Sequence, residues 1–204
     1  MKGFVAAGSL LLCLAAAPAW AASDGALTAE TAATLTPNAY VWQDKGDAAA
    51  SEDDVRLVIS IADQRAYVYR NSSLIAVSTV STGKQGKDTP AGIYPILQKE
   101  KDHKSNLYNA APMPFMQRLT WDGIAIHAGR NPGFPASHGC IRVPAAFAAK
   151  LFAITQIGTT VEVTDDPVDP GMSTPSDDLL PADVAADAQT AKANETQLAS
   201  IDRR

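Results

Sequence analysis

Four aliphatic residues, Val55, Leu57, Ile59 and Ile61, alternate with other residues, and this period of two marks a β-strand. Successive side chains on a strand point to opposite faces, so one face of this segment carries all four apolar groups. Asp63-Gln64 follows as a turn, and residues 66–70 and 74–80 read as two further strands separated by Asn71-Ser72-Ser73. Residues 82–87 read as a glycine-containing loop. Residues 92–97 read as another strand, with Pro95 at an edge or a bulge because proline cannot donate to a ladder. Residues 123–127 form a short strand and residues 160–164 a closing one. The best helix covers residues 145–155, with Phe147, Leu151 and Ile154 on one face, Pro144 in its first turn and Gly158 ending the unit. These elements describe a mostly β domain over residues 55–165 with one clear α-helix.

The segments between and around these elements are less patterned. Residues 99–117 are polar and proline-containing, and their length suggests a functional loop or lid. Residues 131–135 form a turn-rich loop. Residues 22–54, rich in Ala, Thr and Ser, read as a spacer with room for a short helix or an edge strand. Residues 166–204 are dominated by Pro, Asp, Ser and Ala, which points to disorder, with a marginal helix over residues 179–201. The chain has no internal repeats.

At the N-terminus, Lys2 precedes an apolar run over residues 4–17, and Ala19-Trp20-Ala21 has the small-x-small pattern of a signal peptidase site. The run is shorter than the ~20 residues of a comfortable membrane span, and Leu12 before Cys13 does not suit lipidation. A cleaved signal over residues 1–21 is therefore the expectation, with no membrane span in the mature chain. The net charge of −5 conceals an uneven distribution: residues 55–164 hold twelve Lys/Arg against six Asp/Glu, and residues 165–204 hold three against nine. Such a domain either has an ordinary solvated surface or handles an anionic partner, with a tail that is inert or that covers the basic groove. Nucleic acid is not expected, because basic and aromatic residues are not interleaved.

The chain has two cysteines, and Cys13 lies in the signal segment. The mature chain then carries one unpaired thiol, Cys140, in the run Ser137-His138-Gly139-Cys140-Ile141-Arg142. Histidine, arginine and a following helix N-terminus are the surroundings that lower a thiol pKa. Cys140, His127 and His138 make up a candidate nucleophile site: His127 ends a strand, and Gly139 lets a substrate approach the backbone. Two other readings of the same residues stand beside it, a buried structural cysteine and a zinc site made of His127, His138 and Cys140. His103 and its neighbours read as a solvated loop. Tyr108, Met113, Phe115, Met116 and Trp121 read as lid or core packing.

The string SHGCIR, preceded by a strand ending in IH, resembles the signature of the L,D-transpeptidases, the YkuD-type catalytic domain. The resemblance extends to RLVISIADQRAYVYRNSSLIAVSTVSTG, to KDTPAGIYPI, which is similar to a "TPxGxF" segment, to APMPFMQRLTWDGIAIHAG, and to the closing GTTVEV. It implies a mixed β-sheet or sandwich with a helix after the cysteine. It also implies that Cys140 is the nucleophile and His127 the general base or thiolate partner, oriented by the backbone carbonyl of Ala128. Ser137 and His138 would shape the pocket, and the Gly139 and Cys140 N–H groups would face an oxyanion. Arg142 would bind a substrate carboxylate or hold the loop. The implied substrates are peptidoglycan stem peptides in the periplasm or cell wall, with release of D-alanine. The acceptor would be a diaminopimelate amine, a wall-anchored protein's lysine, a D-amino acid or water. No cofactor or metal is implied. The loop between His127 and Ser137 is shorter than in many members, which bears on pocket size. A stem-peptide hydrolase and a non-catalytic wall-binding protein are the rival functions.

Overall fold

The computed structural model describes residues 27–44, 55–105, 109–170, 189–191 and 193. Two β-sheets and two helices share these residues. The first sheet contains β1 (Tyr40–Trp42), β2 (Val55–Ser60), β3 (Arg65–Arg70), β4 (Ser73–Thr79), β5 (Gly92–Pro95) and β10 (Thr160–Thr164). Their order is β1-β4-β3-β2-β10-β5, antiparallel except for the parallel pair β2–β10. The second sheet is β6 (Gln98–Lys104), β7 (Pro112–Arg118), β8 (Ala125–Ala128) and β9 (Ile141–Val143), in that order, with β8 and β9 parallel. The fold is the mostly β, mixed-sheet class expected.

The alternation in β2 does what its period predicts. Val55, Leu57 and Ile59 join Ala66 and Val68 of β3 and Val161 and Val163 of β10 in the main core. The same core receives Ile126 of β8, Ile141 and Val143 of β9, and Phe147 and Leu151 of α2 (Ala145–Ile154), so the helix and both sheets share one interior. β5 is an edge strand, which accommodates Pro95. Pro144 is the N-cap of α2, one position before the first helical residue where it was expected.

Three readings of the sequence need correction. Residues 99–117 are not a lid-like loop, because most of them form the β6–β7 hairpin. β6 reads Gln-Lys-Glu-Lys-Asp-His-Lys without apolar alternation because it is the outer strand of its sheet and most of its residues are exposed. The prolines of β7, Pro112 and Pro114, lie where that strand pairs with β6 alone, since β8 meets it only at Gln117 and Arg118. The hairpin is irregular at Phe115, whose φ of 56° is unusual for a bulky side chain, and the ladder skips it. The Phe115 ring rests 5.9 Å from that of Phe152 on α2, and Lys99 Nζ donates to the Phe152 and Thr155 carbonyls at the end of that helix.

The segment before residue 55 contains both the short helix and the edge strand for which it had room, and it folds onto the domain instead of merely spacing it. α1 (Ala29–Thr34) lays Ala32 against Val58, Tyr67, Tyr69 and Val77 on the outer face of the first sheet, and Arg65 donates to the Ala32 and Leu35 carbonyls at its end. β1 pairs with β4, and Tyr40 and Trp42 set their rings 5.9 and 5.7 Å from Phe147. Past residue 165, the Val168 N–H donates to Asp63 Oδ2 at 2.9 Å, and Ala191 is buried against Leu97 and Ile157. Apolar contact therefore extends the folded unit beyond both expected boundaries. The signal segment, Tyr108 and most of the tail lie outside the described residues.

Candidate active site

The parallel pairing of β8 with β9 brings the site together. Its register sets His127 opposite Arg142, and Cys140 immediately precedes β9. His127 is buried, and its Nδ1–H donates to the Ala128 carbonyl at 2.8 Å. A carbonyl only accepts, so this bond fixes the neutral tautomer and leaves Nε2 with a free lone pair. Burial pulls the imidazole pKa below its ordinary value. The bond to Ala128 opposes that shift, and the positive charge of Arg142 adds to it.

Cys140 is half-buried among Met113, Met116 and Ala125, and its thiol donates to the Gly123 carbonyl at 3.3 Å. Burial pushes the thiol pKa up. The Ala125 N–H and the charges of Arg142 and Arg118 pull it down without prevailing. The expected lowering of the thiol pKa is thus reversed. Desolvation outweighs the flanking cations, and both shifts favour the uncharged forms of the thiol and the imidazole. The α2 N-terminus contributes little: β9 carries the chain roughly 10 Å, at ~3.3 Å per residue, before the helix begins, and a helix dipole fades within about one turn.

The loop before Cys140 is locked by side chains. Ser137 is buried; its hydroxyl donates to the Cys140 carbonyl, and its oxygen accepts the Gly139 N–H at 3.1 Å. The Gly139 N–H expected to face an oxyanion is therefore committed to Ser137. Gly139 has φ = 114°, and a Cβ there would come within 2.8 Å of Ile124 Cδ1, so the position requires glycine. Thr89 holds the other side of this residue: its hydroxyl donates to the Gly139 carbonyl at 2.7 Å and its oxygen accepts the Gly83 N–H at 2.8 Å.

Cys140, His127, Ser137, His138 and Arg142 all line one cleft of about 430 Å³. Gly139 underlies it, and Ala128 contributes its carbonyl. His138 is exposed on the rim. Among the described residues Arg142 forms no ion pair, although its backbone bonds Ser81 in both directions. Among the described residues no group of three His, Cys, Asp or Glu side chains is arranged to hold a metal, so His127, His138 and Cys140 do not form the zinc site considered above.

The structure adds Arg130 and Asp122 to the cleft wall, the Gly123 carbonyl as thiol acceptor, and Thr89 as loop anchor. Thr89 lies in the KDTPAGIYPI segment and Asp122 and Gly123 in APMPFMQRLTWDGIAIHAG, whereas Arg130 falls outside every segment that carries the resemblance. The places of Asp122, Gly123 and Arg130 in the site depend on the turn between β7 and β8 and on the β8–β9 pairing.

The model of the YkuD family, the L,D-transpeptidase catalytic domain, matches residues 54–163, which include every strand from β2 onward, but for the last residue of β10, and the whole site. The chain belongs to the L,D-transpeptidase catalytic domain family. Among curated relatives of this L,D-transpeptidase domain, L,D-transpeptidase 1 of Mycobacterium tuberculosis is 27% identical over 123 residues, covering 52% of this chain and 49% of the relative. The chain thus spans about half the length of the curated relatives it matches. The fold is similar to that of a solved L,D-transpeptidase of Mycobacterium tuberculosis H37Rv, with a TM-score of 0.52, 23% identity, and coverage of 54% of this chain and 57% of that one. It is also similar to one from Stackebrandtia nassauensis, with a TM-score of 0.51, 24% identity, and coverage of 56% and 57%. No described helix is long and apolar enough to cross a membrane.

Proposed function

We propose that this protein is an exported cysteine acyltransferase that works on peptidoglycan stem peptides. The observation that carries the reading is that His127, whose Nδ1 is held by Ala128, lines the same cleft as the one thiol among the described residues. Family membership supplies the substrate class, and residues 1–21 supply the export reading.

The chemistry follows from the resting protonation states. Nε2 of His127 takes the thiol proton as sulfur attacks the carbonyl of the diamino acid preceding the terminal D-alanine. The Cys140 N–H faces the oxyanion that develops, since the Gly139 N–H is occupied. The imidazolium then protonates the departing amine, and D-alanine leaves a thioester on Cys140. An amine attacks that thioester, its proton passes through His127 to sulfur, and the thiol is restored. Arg142, aided by Arg130, holds a stem-peptide carboxylate through its two-pronged guanidinium. Ser137 and Thr89 keep the Cys140 backbone in place, and His138 shapes the rim.

One of the solved structures similar in fold is an L,D-transpeptidase in complex with imipenem. Imipenem is therefore the probe: intact-mass spectrometry should show one adduct on the wild-type protein, mapped to Cys140, and none on a folded Cys140→Ala variant. An adduct that persists in the alanine variant would overturn the assignment. Release of D-alanine from a synthetic stem tetrapeptide, with and without an added amine, separates transfer from hydrolysis.

A further inference from the structure

A second, smaller cavity of about 190 Å³ adjoins the catalytic cleft and shares Ser105, Met113, Asp122 and Gly123 with it. Three of its walls, Met113, Met116 and Ala125, are the groups packed around Cys140, and Gly123 supplies the carbonyl that accepts the thiol. The sulfur lines the larger cleft, and the side chains packed around it form the near wall of the smaller cavity. An acyl transfer needs two approaches, one for the donor that leaves its acyl group on sulfur and one for the acceptor that removes it.

His103 lines this smaller cavity. Its Nδ1 lies 2.6 Å from Glu100 Oε2, and its side chain is only 11% exposed. On a regular strand, residues three apart point to opposite faces. The pair meets here where the ladder with β7 is interrupted: the register runs from Glu100–Met116 to Asp102–Pro114 and omits Lys101 opposite Phe115. With Nδ1 held by the carboxylate, Nε2 is the ring nitrogen left for a ligand. An imidazole largely shielded from water and paired with a half-exposed carboxylate accepts a proton with its product charge already balanced.

We propose that His103, supported by Glu100, is a catalytic base for the acceptor, taking the surplus proton from an ammonium group that enters by the smaller cavity. This rests on reading the protein as an amine-directed acyltransferase. An aliphatic amine arrives as –NH3+ and has no lone pair for attack. Its first proton passes to His103 Nε2, giving a free amine and an imidazolium paired with Glu100. The amine nitrogen then attacks the thioester carbon; the C–N bond forms and the C–S bond breaks. The second proton passes from nitrogen through His127 to sulfur, restoring the Cys140 thiol, and His103 returns its proton to water. His127 cannot take both protons, because it must be neutral to receive the second. Water needs no such preliminary step, so the base acts on transfer and not on hydrolysis. The other charged groups around His103 are Arg118 at the end of β7, Asp122 in the turn before β8 and His127 on β8, with Lys101, Asp102 and Lys104 on its own strand. Asp122, on the wall shared by the two cavities, gives the ammonium its counter-charge.

The test compares two acceptors on the mature chain, with a synthetic stem tetrapeptide as donor. One acceptor is Nα-acetyl-lysine amide, whose ammonium has an ordinary pKa of about 10.4. The other is hydroxylamine, which is uncharged at neutral pH. The readout is the ratio of aminolysis to hydrolysis products by mass spectrometry. With the lysine amide at neutral pH, His103→Gln should lower this ratio by about 10²-fold, the lower range for a lost general base, and Glu100→Gln by a smaller factor. Both deficits should close as pH rises toward the amine's own pKa, and neither should be seen with hydroxylamine. An unchanged ratio with the lysine amide overturns the proposal, and so does an equal loss with both acceptors at every pH, which would indicate disturbed packing. If the wild-type thioester forms but passes only to water, the acyltransferase reading itself fails, and this role fails with it.

Discussion

Removing the Thr89 hydroxyl tests how the cysteine loop is held. Thr89 is buried, and its oxygen bridges two backbone groups that are also buried, the Gly83 N–H at 2.8 Å and the Gly139 carbonyl at 2.7 Å. Thr89→Val preserves the shape and deletes both bonds. A buried backbone group left without a partner costs about 1–3 kcal/mol, so the pair predicts a loss of about 2–6 kcal/mol. In a domain of this size each kcal/mol moves the midpoint by about 2–8 °C, so the variant should melt at least about 4 °C lower. Gly139 precedes the nucleophile, so the lost anchor should also slow acylation, by about 10²-fold if Cys140 shifts by ~1 Å. Thr89→Ser keeps the oxygen and should recover most of both losses. Urea titration with mass-detected imipenem acylation measures the two effects on the same samples. A Thr89→Val loss below about 1 kcal/mol, or a serine variant as damaged as the valine one, would show that packing and not the hydroxyl bridge holds the loop.

Two further outcomes follow from the site. His127→Ala should slow single-turnover acylation by about 10²–10⁴-fold, while His138→Ala, exposed on the rim, should slow it by about tenfold or less; rapid-quench mass spectrometry of both variants decides between them, and a larger loss at His138 would reverse the two roles. Because burial lowers the His127 pKa in the folded state, the unfolded chain binds more protons as pH falls through its ordinary value of about 6.5; stability is full above that value and is lost as pH drops toward the depressed folded one, acylation by the folded protein keeps its base until pH falls through that depressed value, and pH-dependent melting of wild type against His127→Gln should show the stability component missing from the variant.

Much of this was legible in the sequence, for identifiable reasons. The β2 alternation and Pro95 at an edge are local properties, and the core and sheet order agree with them. The placement of Cys140 and His127 in one cleft was carried by a motif. β6 was missed because a solvated edge strand has no apolar period, and β9 because three residues are too few to show one. The thiol pKa was misjudged because residues adjacent in sequence are cationic, whereas Met113, Met116 and Ala125, which desolvate the sulfur, come from strands far along the chain. The Gly139 N–H was misassigned for a similar reason: φ = 114° turns it toward Ser137, an orientation set by the contacts with Thr89 and Ile124.

The bond from the thiol to the Gly123 carbonyl also bears on chemical durability. Oxidants and alkylating agents react with thiolate, not with thiol. A sulfur kept protonated and half-covered by methionines presents little thiolate at neutral pH. It should therefore react slowly with peroxide, with disulfides and with iodoacetamide, which the rate of iodoacetamide labelling checks. A ligand that fills the cleft and presents a carbonyl to sulfur beside His127 meets a different reagent, because proton removal then accompanies bond formation. The same sulfur should therefore discriminate between small thiol reagents and an acyl donor seated in the cleft.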